Sequence, residues 1–234
     1  MSDREVILAR IRAALSDVPA DEIASWTPAE VAGWPVGADV KAGDAGAVYQ
    51  RRGTLTAAAR RELFIERCRE YRASVTICAP ETADIAAQIG VICAGYGVRR
   101  LALPPALDRA WIPAELEVSL DQPPLSAAEL DQCDGAVTTC EAAIALTGTI
   151  LLAAGPVQGR RLISLVPDLH ICVVGEDQIV ETVPEGIAQL GPVIAERRPV
   201  TLISGPSATS DIELIRIEGV HGPRHLEIIL LSKD

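Results

Sequence analysis

Apolar and polar positions alternate between two periods along this chain. "TAAARRELFIERCREYR" has apolar residues at helical spacing, with Leu63, Phe64, Cys68 and the Arg67 stem inward. "ASVTICA" is a short run rich in β-branched residues and reads as a strand. "ETADIAAQIGVICAGYG" returns to helical spacing and stops at a glycine; "VRRLALP" is a second strand and "EVSLD" a weak third. Ser126 and Glu129 form a capping box that opens a short helix. "DGAVTT" reads as a strand, "CEAAIAL" as a short helix whose box is Thr138 and Glu141, and "TILLAAG" and "HICVVG" as strands. Thr182 and Glu185 open a helix ending near Gly191, and "PVTLISG", "IELIRIEG" and "HLEIILL" close the pattern as strands.

Strands separated by helices of about ten residues predict βαβ units: an α/β fold with a mostly parallel sheet flanked by helices. The last two strands follow one another without a helix, so an antiparallel edge is expected there. Upstream, Ser2 and Glu5 cap a helix over about residues 3–16, and residues 33–47 are rich in Gly, Ala and Asp. The division predicted is an N-terminal helical arm and linker over 1–49 and an α/β domain over 50–234.

Composition narrows the function. Apolar residues are 49% of the 234 and aromatics only 3%, so Ala, Val, Ile and Leu must build the core. Lys and Arg number 21 against 32 Asp and Glu, a net charge of −11, and no basic run exceeds two residues. Phosphate backbones would repel such a chain, so nucleic acid is not an expected partner. The N-terminus lacks signal-peptide character, and Thr-Gly-Thr and Gly-Pro break the one long uncharged stretch, so no membrane span and a cytoplasmic location are expected. The six cysteines contain no C-x-x-C pair and several sit in apolar runs, where Cys behaves as a small hydrophobe. No metal site is expected from them.

Three loops after strands carry the candidate chemistry, since ligands of open α/β sheets bind beyond the carboxyl ends of strands. Thr147, Gly148 and Thr149 offer two hydroxyls and a closely approachable backbone, or a plain glycine cap. Ser204 to Asp211 carries four hydroxyl residues, Ser207 and Thr209 among them, or is an ordinary capping loop. Gly155 to His170 supplies Arg160 or Arg161 as a clamp for carboxylate or phosphate, or as surface charge. The expectation is an anion pocket built from Thr147, Gly148, Thr149, Ser207 and Thr209, with Arg160 and His170 as the next candidates. Glu141 at its rim would orient a ligand or accept a proton as the catalytic group, or simply cap.

"CEAAIALTGTI", "GRRLISLVPDLHICVV" and "TLISGPSATSDIELIRIEGVHGPRHLEIILL", occurring in this order, resemble the lactate utilization protein C family, the LUD domain group. The resemblance is strongest over residues 133–231. It implies a fold like that of the ribose-phosphate isomerase and coenzyme A transferase superfamily. It also implies a role in a three-part system that oxidises L-lactate to pyruvate, with iron–sulfur clusters on partner subunits and no cofactor bound directly here. The family often has Arg where Ala208 stands, which would shift anion binding to Arg160 or Arg224. The alternative function is a stand-alone enzyme of coenzyme A transferase or 5-formyltetrahydrofolate cyclo-ligase type.

Overall fold

Helix α1 (Ala57–Glu70) starts where Thr56 accepts the Ala59 N–H on its Oγ1 and carries Arg67 and Arg69 in its last turn, where cations suit the helix dipole. The computed structural model that shows this describes residues 50–209, 217–219 and 221–232, with only the backbone of Ala208, Thr209, Ile217 and Glu218. The arm, its helix over 3–16 and the linker lie outside the described residues.

After α1 come β1 (Ser74–Cys78), α2 (Thr82–Tyr96), β2 (Arg100–Leu103), β3 (Glu117–Leu120), α3 (Ala127–Leu130) and β4 (Gly135–Thr139). Helix α2 buries Ile85, Ile89, Ile92 and Cys93, a stripe at helical spacing, and ends on Gly97 at φ 68°, where a side chain would be strained. Ser126 and Glu129 make the capping box of α3.

The remaining elements are β5 (Ala142–Ile144), β6 (Thr149–Ala153), β7 (Leu169–Gly175), β8 (Ile179–Val180), α4 (Val183–Gln189), α5 (Gly191–Ala195), β9 (Val200–Ile203), β10 (Ala208–Thr209), β11 (Ile217–Glu218) and β12 (His225–Leu231). Six strands form one all-parallel sheet in the order β1-β12-β7-β4-β2-β3. Four form a second sheet, β8-β5-β6-β9, in which β6 runs antiparallel to both neighbours.

Both sheets follow from burial. Strand β7 is buried on both faces along nearly its whole length, as an interior parallel strand must be. One face of the six-stranded sheet packs Leu101, Val137, Ile171 and Ile229 against α2. The other packs Cys172, Val174, Ile228 and Leu230 against Phe64 and Cys68 of α1 and against Ile150 and Leu152 of the second sheet. The outer face of the second sheet is covered by Leu190 and Val193, from the α4–α5 junction and α5. Each large apolar side chain so buried contributes about 1.5–3 kcal/mol. All six cysteines are buried and free; burial pushes the Cys68 thiol up to about 12 and the Cys93 thiol to about 11.

Three expectations need correction. "CEAAIAL" is not a helix: Ala142–Ile144 pairs with β6 and β8, and a single 3-10 turn, Ala145–Thr147, follows. Thr138 caps nothing, because its hydroxyl is bonded to His170. The last strand is not an antiparallel edge: β12 is inserted between β1 and β7, parallel to both, because its apolar residues are buried on both sides. The helix from Thr182 ends at Gln189, and Gly191 begins a second short helix with Pro192 in its first turn.

Gly148 fixes how α1 meets the second sheet. It sits at φ 56°, and a Cβ there would lie 2.8 Å from the Arg67 carbonyl carbon and the Cys68 nitrogen, which are backbone and cannot swing aside. Gly148→Ala is therefore expected to destabilise the fold by about 2 kcal/mol or more, read as a lowered midpoint in urea unfolding.

Candidate functional site

Register brings two of the candidate loops together. Strands β6 and β9 pair antiparallel with Ile150 opposite Ile203, which sets Thr149 beside Ser204. Their hydroxyl oxygens are 2.8 Å apart, and Thr149 Oγ1 lies 2.7 Å from Thr147 Oγ1. The result is a chain of three hydroxyls, with Thr149 buried in the middle and Ser204 at the end that meets open space.

Ser204 opens onto a cavity of about 240 Å³. Its polar lining comes from Arg161, Ser164, His170, Ser204, Ser207 and His221, and Leu202 and Leu226 supply much of its apolar wall. Arg161 Nη1 reaches the Ser164 hydroxyl at 3.4 Å. Ser207 is held in place by accepting the His221 N–H at 3.1 Å and by donating its own N–H to the Pro223 carbonyl. Gly205, at φ 85°, lets this loop press on Tyr71, whose Cβ and carbonyl oxygen lie 2.7 Å from where a Cβ would stand.

His170 is the second residue of β7 and Leu226 the second of β12. The cavity therefore lies toward the amino ends of these parallel strands and past the carboxyl end of β9, not beyond the carboxyl ends of the large sheet. His170 is only 1% exposed. Its Nε2 lies 2.8 Å from Thr138 Oγ1, a bond in which either atom donates according to the tautomer. Burial, with the Arg161 guanidinium adding to it, pushes the imidazole down to about 4, so the ring is neutral at pH 7.

The other candidates are placed elsewhere. Arg160 gives both Nε and Nη2 to the buried carboxylate of Asp121, at 2.7 and 2.8 Å, and also donates to the Leu125 carbonyl. It is Arg161, its neighbour, that lines the cavity. Arg224 is bonded to Asp168 at 2.7 Å and holds that carboxyl below its ordinary range. Glu141 accepts from Gln158 Nε2 at 3.0 Å and is not part of the cavity lining; Gln158 in turn accepts the Ala153 N–H. Gly148 serves the contact with α1 and accepts the Cys68 thiol. Thr147 and Thr149 stand behind Ser204 rather than in the lining. Of Thr209 only the backbone is described, paired with Ile217.

The comparisons with known proteins agree on one family. The LUD domain model matches residues 126–231. The lactate utilization protein C of Deinococcus radiodurans is 47% identical over 171 residues, covering 72% of this chain and 78% of that protein. A protein of the same description from an Exiguobacterium species is 33% identical over 58% of this chain and 62% of its own length. The chain belongs to the LUD domain family. A crystal structure of a DUF162 family protein from Deinococcus radiodurans superimposes on this LUD protein with a TM-score of 0.67 at 39% identity, over 76% of this chain and all of that one. The residues matched to the LUD domain include every residue that lines the cavity.

The buried imidazole sets a sign for pH dependence. The unfolded chain protonates His170 near 6.5, while the folded protein resists until about 4. The stability from keeping it neutral is present above 6.5 and is lost as pH falls from 6.5 toward 4, a span worth about 3 kcal/mol. Urea unfolding at pH 7, 5.5 and 4.5 should show a steeper loss in the wild type than in His170→Leu, whose constant packing defect cancels in the comparison of slopes.

Proposed function

We propose that this LUD protein serves lactate utilization as a subunit that works beside iron–sulfur proteins and holds a small anion in the cavity between β9 and the amino ends of β7 and β12. The description of its relatives as lactate utilization proteins supports the process. The cavity supports the anion, and the observation that carries it is Arg161: a guanidinium in the lining of a small cavity, with the hydroxyls of Ser204 and Ser207 on the same lining. A guanidinium and two hydroxyls supply charge and directed donors for a carboxylate. In this reading the electrons travel through the partners' clusters, and this chain binds and presents the acid.

Chemistry of the coenzyme A transferase kind on Glu141 is disfavoured by geometry. That carboxylate is bonded to Gln158 and does not line the cavity, so it has no guest to attack or deprotonate there.

The two neighbouring arginines separate binding from stability. Arg161→Gln should weaken L-lactate or pyruvate binding, measured by calorimetry, by about 10-fold or more while leaving the unfolding midpoint nearly unchanged. Arg160→Gln should leave binding intact but cost about 2–4 kcal/mol in urea unfolding, because Asp121, with its side chain 4% exposed, would lose its partner. Equal affinity of wild type and Arg161→Gln would overturn the reading, and copurification of the chain with iron–sulfur proteins tests the partnership.

A further inference from the structure

We propose that residues 50–55, the segment that leads into α1, form a strap locked by the carboxylates of Glu181 and Glu185, and that opening this strap weakens the cavity's hold on its anion. The second half rests on the small-anion reading above and names a regulation of that site.

The strap has no apolar hold of its own. Gln50, Arg51, Arg52, Thr54 and Leu55 are all exposed, and Gly53 has no side chain. Hydrogen bonds fasten it instead. Glu181, only 5% exposed, accepts Gln50 Nε2 at 3.0 Å on one oxygen and the N–H groups of Thr54 and Leu55, both at 2.6 Å, on the other. Glu185 accepts the Gly53 N–H at 2.9 Å, and this bond, more than any other group, holds its carboxyl below the ordinary range. A Cβ on Gly53 would collide with Cβ and Oε2 of Glu181, so the strap lies flat against that side chain.

Among the described residues the Glu181 carboxylate has no cationic partner. A charge so covered needs donors, and the strap supplies them. When the strap lifts, water takes their place, so the open state is reached without disturbing the core. A segment with exposed side chains and a few hydrogen bonds is the kind that opens locally.

Glu181 also faces the cavity's supports. Its main-chain carbonyl accepts the Leu146 N–H at 3.0 Å. Leu146 belongs to the turn Ala145–Thr147, from which Thr147, Thr149 and Ser204 run as the hydroxyl chain to the cavity. The strap also runs straight into α1, on whose Arg67–Cys68 backbone Gly148 of the same segment rests. Strap and cavity therefore share residues 145–149, and a shift of Glu181 on opening reaches Ser204 through them. Coupling of this kind is reciprocal: a closed strap favours the bound anion, and a bound anion favours the closed strap.

Trypsin tests this on the full chain. The bonds after Arg51 and Arg52 lie in the strap, and a protease cuts a segment that has opened, so cleavage there reads the open fraction. Mass spectrometry follows the fragments that begin at Arg52 or Gly53. Glu181→Gln sets an amide NH2 against the strap's donors and should speed this cleavage by ~10-fold or more. Gly53→Ala should do the same with Glu181 intact, and it decides the lock if circular dichroism shows Glu181→Gln unfolded. L-Lactate should slow cleavage of the wild type but not of Arg161→Gln, and Gly53→Ala should bind L-lactate about 5-fold or more weakly by calorimetry. Strap variants cut no faster than the wild type overturn the lock. Faster cutting with unchanged lactate affinity and no protection by lactate overturns the coupling. If the wild type binds no lactate, the small-anion reading falls and the coupling with it, while the cleavage rates still decide the lock.

Discussion

The pairing of β6 with β9 is the constraint from which the cavity follows. It is antiparallel and in a fixed register, and a slip of one residue would turn Thr149 and Ser204 to opposite faces. With the register in place, one hydroxyl chain ties the turn before β6 to the loop after β9, and that loop closes over the amino ends of β7 and β12. Gly148 on one side and Gly205 on the other let both segments press against α1, at its Arg67–Cys68 backbone and at Tyr71. The second sheet is thus the part of the molecule that makes a cavity out of the large parallel sheet's inner face.

The electrostatics of that cavity rest on a single asymmetry. The Arg161 guanidinium is exposed and its charge is solvated, whereas His170 is sealed into the sheet and stays neutral. A protonated imidazole beside the guanidinium would face both the cost of burial and repulsion. The Thr138 hydroxyl satisfies one nitrogen of the neutral ring, so the strand pair β4–β7 fixes its orientation before any ligand arrives. Orientation held by the framework is cheaper at the moment of binding than orientation imposed by the guest.

The fold was legible where burial writes a plain pattern. The runs "GAVTT" and "LHICVVG" are buried on both faces or nearly so, and the stripe Ile85, Ile89, Ile92 and Cys93 of α2 has the spacing of a helix packed on one side. "CEAAIAL" misled because a short alanine-rich run has no period of its own; Ala142–Ile144 is a strand only because β6 and β8 flank it. The place of β12 was hidden because Ser74 and Glu227, far apart in the chain, must meet before its parallel pairing exists. At the site, the hydroxyl-rich loops and His170 stood out by composition and position. Arg160 and Arg161 could not be told apart, since what separates them is Asp121, 39 residues upstream and brought alongside only by the fold.

The location of the cavity has a structural logic that the usual rule for open α/β sheets misses. At the carboxyl ends of the central strands, polar groups are already spent on one another: Glu141 on Gln158, Gln178 on the Cys140 carbonyl and the Gly175 N–H, and Glu176 on Ser232. At the amino ends, β7 and β12 begin beneath the loop that leaves β9, and there Arg161, Ser204 and Ser207 line open space. A ligand site needs polar groups that are held in place yet not fully satisfied. The second sheet, by tethering Ser204 from behind through Thr149, supplies that condition at the end of the large sheet where its own loops do not.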